Sequence, residues 1–265
     1  MKYKWMALVA LALPLSLWGQ DSHGFRKIFD NEMHEEYGRA LYAHNMAVLA
    51  LRDGGAVSFG FENGYLLKEL MDKSALFYLC HKGNLVSAQL SHNGFSKMGE
   101  LTASCGYGRR FGSRFVAALR LFYIYSYARH YQPLHSFTVD MSFAACVTDK
   151  LMLSVSAYNP IRMKYGMTGS EYIPVKVHLD AAYSLSQRVL LSLSLQKDFP
   201  GPFQVAAACG VTLSPYIALS FSCALPQPSV GLSCFLHWRR FSLEMASAYH
   251  FPLGLSPQCR LSYGF

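Results

Sequence analysis

The sequence predicts an all-β protein, a transmembrane antiparallel β-barrel of about fourteen strands entered by a short N-terminal plug-like segment. Three observations carry this reading. Only 15% of the 265 residues are charged while 52% are hydrophobic, against about 25% charged for an ordinary soluble domain. Beyond the first twenty residues, no run of about 18 apolar residues long enough for a membrane helix occurs. The apolar residues instead alternate with small polar ones at period two, which is how a barrel shows one face to lipid and the other to its lumen. Helical membrane proteins are thereby excluded. A soluble β-sandwich is the competing reading, but soluble sheets solvate one side and do not need an outer face of Leu, Val, Phe and Tyr strand after strand.

The chain begins with Lys2 and Lys4, an apolar stretch from Met6 to Leu17 interrupted by Pro14, and Trp18-Gly19-Gln20-Asp21. This is the layout of a secretory signal peptide, residues 1–19, cleaved after Gly19. No Cys follows the apolar stretch to make it a lipoprotein leader. The destination is the outer membrane of a Gram-negative bacterium.

Residues 20–55 differ in kind. Phe25 to Glu36 is charged and without period, and Gly38 to Leu51 is small and apolar, closing at Asp53-Gly54-Gly55. This segment reads as a short helix folded against or into the barrel mouth, with a loose periplasmic tail as the alternative. The barrel itself spans 56–265.

Alternation places strands near 56–62, 75–81, 84–92, 98–108, 114–126, 135–147, 151–158, 174–184, 188–197, 203–213, 216–224, 229–238, 241–249 and 257–265. In the first two, Phe77 and Leu79 compete with Leu76 and Tyr78 for the lipid face, so twelve strands is the alternative count. Tight turns at Lys82-Gly83, Arg109 to Ser113, Thr148 to Lys150, Ser186-Gln187, Ser214-Pro215 and Arg239-Arg240 alternate with longer links. The longer links are Asn63 to Ser74, Asn93 to Lys97, Ala128 to Leu134, Asn159 to Ile173, Asp198 to Pro202, Pro226 to Pro228 and His250 to Ser256. Short periplasmic turns and longer extracellular loops have this arrangement, which puts both termini in the periplasm.

The formal charge of +8 is spread along the chain, with no basic run beyond pairs such as Arg109-Arg110. It points to an anionic membrane surface and outer-membrane lipid, not to nucleic acid. Seven cysteines stand singly inside apolar stretches, where each serves as a small hydrophobe better than as a disulfide or metal ligand. No catalytic, cofactor or metal motif stands out, and the reading is non-enzymatic. The adjacent Ser91 and His92 could in principle be half of a hydrolase pair, but on a strand they would point to opposite faces and diverge.

Lumen parity does carry ionisable residues: Glu100, Arg120, Asp140, Lys176, His178, Asp180, His237, Glu244 and Arg260. Arg120 with Asp140, and Glu244 with Arg260, are expected partners on neighbouring strands, since charges in a poorly solvated interior must pair or meet water. An internal salt-bridge network is the first reading and a selectivity lining the second. The link Asn159 to Ile173 holds Pro160, Ile161, Arg162, Met163, Tyr165 and Tyr172, too apolar for a loop that merely faces water and suited to docking. Its Arg162 and Lys164 would also suit lipopolysaccharide.

The stretch Thr148 to Gly166 (TDKLMLSVSAYNPIRMKYG) and Ser186 to Phe199 (SQRVLLSLSLQKDF) resembles the PorV/PorQ group of Bacteroidetes outer-membrane proteins, relatives of the FadL transporters of hydrophobic compounds. Gly38-Arg39-Ala40-Leu41 followed by Asp53-Gly54-Gly55 is similar to that group's plug-like entry, with Phe61-Glu62-Asn63-Gly64 standing where Asn-Pro-Ala-Gly is usual. The resemblance implies a fourteen-stranded barrel that acts as a scaffold or accessory protein for type IX secretion, its partners secretion-system or surface proteins. Alternatively it implies a FadL-like channel for small hydrophobic ligands. An outer-membrane lipid-modifying enzyme is the remote third reading.

Overall fold

The computed structural model describes residues 45–51, 53–166, 171–251 and 253–265. The proposed signal peptide, Phe25 to Glu36 and Gly38 to Leu41 lie outside the described residues, as do 167–170 of the longest loop.

Fourteen antiparallel strands close into one barrel. They are β1 (Gly54–Asn63), β2 (Met71–His81), β3 (Asn84–Phe95), β4 (Met98–Phe111), β5 (Phe115–Ala128), β6 (Leu134–Cys146), β7 (Leu151–Tyr158), β8 (Val175–Ser186), β9 (Val189–Phe199), β10 (Phe203–Ser214), β11 (Ile217–Leu225), β12 (Ser229–Trp238), β13 (Phe241–His250) and β14 (Gly254–Gly264). Each strand pairs with its sequence neighbours. The ring closes where β1 pairs with β14 from Ala56 opposite Gly264 to Glu62 opposite Gln258. Closure leaves no open edge, the condition for a sheet to stand in hydrocarbon.

Alternation sorts the side chains. On β6, Ser136, Thr138, Asp140, Ser142 and Ala144 are buried, whereas Phe137 and Phe143 are exposed. The same split continues around the wall, and outward residues such as Leu90, Phe221 and Leu232 are about half exposed. So much exposed apolar surface is tolerable only against lipid. Outward aromatics gather at both ends, with Phe111, Phe115, Tyr183, Trp238, Phe241 and Tyr263 near the short turns. At the far end stand Tyr123, Phe137, Phe199, Phe203, Tyr249 and Phe251. Two such girdles mark the interfaces of a membrane barrel.

The structure settles the competition on β2. Phe77 and Leu79 face outward, while Tyr78 is 3% exposed and Leu76 packs beside the internal cluster. These inward apolar residues meet the N-terminal segment, so both faces of β2 are apolar for different reasons.

One expected loop is corrected. Asn93 to Lys97 is not a long link, because β3 runs to Phe95 and β4 starts at Met98, leaving only Ser96 and Lys97 between them. Gly94 stands opposite Gly99 in this hairpin, and residues without side chains erase the period-two signal there. The long and short links therefore do not alternate strictly. β2 and β14 also begin earlier than expected, at Met71 and Gly254. Pro257 interrupts the pattern in β14 yet stands opposite Ser247 within the ladder.

Arginine in place of Leu193, outward at the middle of β9, is expected to cost about 2 to 4 kcal/mol in a bilayer refolding titration, and Ser192→Asn far less. Equal costs would contradict the assignment of faces.

Candidate functional site: the plugged lumen

The short-turn end of the lumen has an apolar floor. Leu85, Val116, Met152, Leu190 and Ala218 are each the second residue of a strand that follows a short turn, namely β3, β5, β7, β9 and β11. All are nearly or wholly buried. They form one cluster with Ala144, Cys146, Ala182 and Phe235 and with the N-terminal segment. Alternation alone assigned these positions to a small or polar face. The available signal was the recurrence of an apolar residue on lumen parity directly after each turn.

Against this floor lies a single 3-10 turn, Met46–Ala50, every residue of which is buried. Asn45 initiates it, its side-chain oxygen accepting the Ala47 amide at 3.0 Å. The same amide also reaches Ser142 Oγ on β6 at 3.2 Å. Met46 is seated over Gly106, where any β-carbon would collide with its thioether, and Ser87 Oγ donates to its Sδ at 3.5 Å.

A polar latch fastens the outgoing end of the plug. Arg110 is 4% exposed; its Nη1 donates to the Leu51 carbonyl at 3.0 Å and its Nη2 meets Asp53 Oδ1 at 2.9 Å. The Gly83 amide donates to the same carboxylate at 3.1 Å. Both residues of that turn, Lys82 and Gly83, have positive φ, as a two-residue hairpin turn of this hand requires. The tight turn thus also presents an amide to the plug.

The ionisable residues expected in the lumen divide into separate groups. Arg120 Nη2 meets Asp140 Oδ2 at 2.9 Å, its Nη1 donates to Gln89 at 3.2 Å, and its guanidinium lies 4.7 Å from the Phe122 ring centre. Arg260 meets Glu244 at 3.3 Å on the opposite wall. Asp180 accepts Ser154 Oγ at 3.2 Å and Ser194 Oγ at 2.6 Å. Glu100 accepts the hydroxyls of Ser126 and Thr102. Lys176 stands opposite Asp198, and His178 opposite Gln196.

Above the plug is a chamber of about 560 Å3 walled by Glu100, Arg120, Asp140, Tyr158, Lys176 and His178. Gln89 borders both this chamber and a narrower cleft of about 80 Å3 that passes Leu49 of the plug and the Glu244–Arg260 pair. Charged, amide and aromatic groups line these two spaces.

The longest loop is folded over this chamber by Asn159, which is wholly buried. Its Nδ2 donates to the Ile173 carbonyl at 2.6 Å, while its Oδ1 accepts the Met163 amide at 2.8 Å and Thr138 Oγ1 at 3.0 Å. Lys164 pairs with Tyr172 across a small β-bridge. The proposed docking residues therefore part company. Pro160, Ile161, Arg162, Met163 and Tyr172 are exposed, whereas Tyr165 turns inward to line the chamber with Ile173. Burial, with Glu100 and Glu171 nearby, pushes the Tyr165 phenol up, so it stays protonated and able to donate at neutral pH. His92, turned outward from Ser91, bonds to the Tyr127 hydroxyl at 2.9 Å.

No family model and no curated protein matches this chain. Among solved structures, the Pseudomonas putida toluene transporter TodX aligns at 9% identity and TM-score 0.61, covering 86% of this chain and 93% of that one. A TodX deltaS2 mutant, a monoaromatic hydrocarbon channel, gives 9% identity and TM-score 0.66 over 86% and 94% of the two chains. Omp33, an outer membrane protein of Acinetobacter baumannii, gives 7% and 0.55 over 80% and 98%. The likeness is one of fold. This chain has the closed-barrel architecture of Gram-negative outer-membrane proteins.

Two outcomes are expected. Arg120→Met, which leaves Asp140 buried without its guanidinium, costs roughly 3 to 5 kcal/mol in unfolding titrations, and the Arg120→Met/Asp140→Leu pair costs much less. Arg110→Gln leaves the barrel folded but releases the plug, raising ionic conductance in planar bilayers. Unchanged conductance would show that Arg110 does not hold the lumen shut.

Proposed function

We propose that the chain is an outer-membrane channel for small molecules with an apolar or aromatic body, directed by Met1 to Gly19 as a cleaved signal peptide. The observation that carries this is the chamber of about 560 Å3 inside the barrel, bordered at Gln89 by a cleft that reaches Leu49 of the plug. Such a chamber is where a channel would receive its solute. Phe122, Tyr158, Tyr165 and Ile173 offer surface for the solute's body. The paired and hydrogen-bonded charges keep the opposite side wettable. The fold shared with hydrocarbon channels such as TodX and CymD supports a hydrophobic cargo. Short turns and plug would face the periplasm and Asn159 to Ile173 the outside, following the usual disposition of barrels. No step of this reading requires an enzyme.

The second reading is a PorV/PorQ-like scaffold for secretion or surface proteins. Ile161 and Tyr172, 57% and 59% exposed beyond the barrel, favour it.

Purified barrel in liposomes is expected to admit a monoaromatic probe such as toluene. Ser156→Trp, which fills the chamber from a buried position on β7, should abolish uptake without loss of the heat-modifiable fold. Uptake that ignores Ser156→Trp would exclude the chamber as the route. Loss of a co-purifying partner after deletion of Arg162 to Ser170, with uptake unchanged, would favour the scaffold.

A further inference from the structure

Charge is divided unequally between the two faces of the wall. Every acidic residue within a strand stands on lumen register: Glu62, Asp72, Glu100, Asp140, Asp180, Asp198 and Glu244. The outward charged positions are basic, and at the long-loop end they are Lys73, His92, His135 and Lys197. Asp72 shows the sorting locally, since it lies beside Lys73 yet receives Asn93 Nδ2 on the other face.

Three of these basic residues crown a feature of the outer wall. Strand register runs Phe59, Ala75, Leu90, Ala103, Tyr123, Phe137 across β1 to β6. The next row below includes Phe77, Ala88, Cys105 and Leu121. Small residues alternating with large ones leave an apolar trough of about 710 Å3 on the lipid side. Two residues nearer the long loops, the same register reads Phe61, Lys73, His92, Leu101, Tyr125, His135. Lys73 and the two histidines therefore stand immediately above the trough. Beyond them, at the tips of the long strands β4 and β5, Lys97 and Arg129 are joined by the Arg129 amide to Lys97 carbonyl bond at 2.7 Å.

Both histidines of this row are fixed by tyrosines. The Tyr127 hydroxyl donates to the Phe95 carbonyl at 3.0 Å, so it accepts from His92 Nε2 at 2.9 Å. His135 Nδ1 meets the Tyr123 hydroxyl at 2.6 Å, tying the crown to a residue of the trough.

From this juxtaposition we infer that the β2–β6 face binds a phosphorylated acyl lipid of the outer leaflet, the lipid A portion of lipopolysaccharide, with an acyl chain in the trough and phosphate against Lys73, Lys97 and Arg129. Charge complementarity selects this occupant over a neutral lipid or a second copy, whose own crown would repel the first. Height selects it over an inner-leaflet phospholipid, because the cations lie at the long-loop end. The site is on the outside of the wall and is independent of solute passage through the lumen.

Native mass spectrometry of the full refolded barrel with rough-type lipopolysaccharide, its dephosphorylated form and phosphatidylglycerol tests the site. Wild type is expected to hold the phosphorylated glycolipid tightest. The Lys73→Gln/Arg129→Gln pair should weaken it roughly thirtyfold for two surface cations lost, and Ala103→Phe should weaken it by filling the trough. Lys197→Gln, on β9 and away from the trough, should leave it unchanged. All variants must first show the wild-type heat-modifiable shift. Phosphatidylglycerol binding as tightly, or wild-type affinity in both trough and crown variants, would overturn the assignment.

Discussion

Hydrocarbon cannot hydrogen-bond, and the rest of this structure follows from that constraint. Every backbone N–H and C=O of the wall must find a partner within the sheet, so the fourteen strands close through β1 and β14. Every strand carboxylate must leave the lipid face. With period-two geometry there is only one other place for it, the lumen. The crowd of Glu100, Asp140, Asp180 and Glu244 inside is thus a consequence of an apolar exterior before it is a device of function. The arginines and serines around them are what make that interior tolerable.

A lumen lined this way is polar in its middle, and the chain closes it at one end with apolar material. The floor built from Leu85, Val116, Met152, Leu190 and Ala218 gives Met46–Ala50 something to bury against. So short a 3-10 turn has no stability of its own. Its position is set by the Asn45 cap, by Ser142 and Ser87 from the wall, and by Arg110 gripping Leu51 and Asp53. These contacts, from β3, β4 and β6, fasten the described part of the plug to the wall at both ends of the turn.

Much of the fold was legible because lipid enforces its pattern on each strand separately. All fourteen strands could be placed, and the Arg120–Asp140 and Glu244–Arg260 pairs followed from parity and adjacency. Legibility failed where the pattern is locally silent or serves two masters. Gly94 and Gly99 carry no side chain, so the continuing hairpin looked like a loop. Leu76 and Tyr78 looked like rivals for the lipid face because their internal partner lies far away in sequence. Tyr165 belongs by sequence to an apolar loop, and bonds made after folding, from Asn159 and from the Tyr165 and Gly166 amides to Glu171 and Ser136, hold it where it lines the chamber.

The central claim is that Met46 to Leu51 is packed inside the lumen as part of the folded wall. Hydrogen exchange of the refolded barrel in detergent addresses it residue by residue, since protection reports burial and hydrogen bonding of each amide. The Ala47 and Val48 amides, bonded to Asn45 and Ser142, should exchange as slowly as amides in the middle of β4 and β5. Exchange at the rate of an unstructured peptide, with the strands still protected, would contradict the plugged lumen.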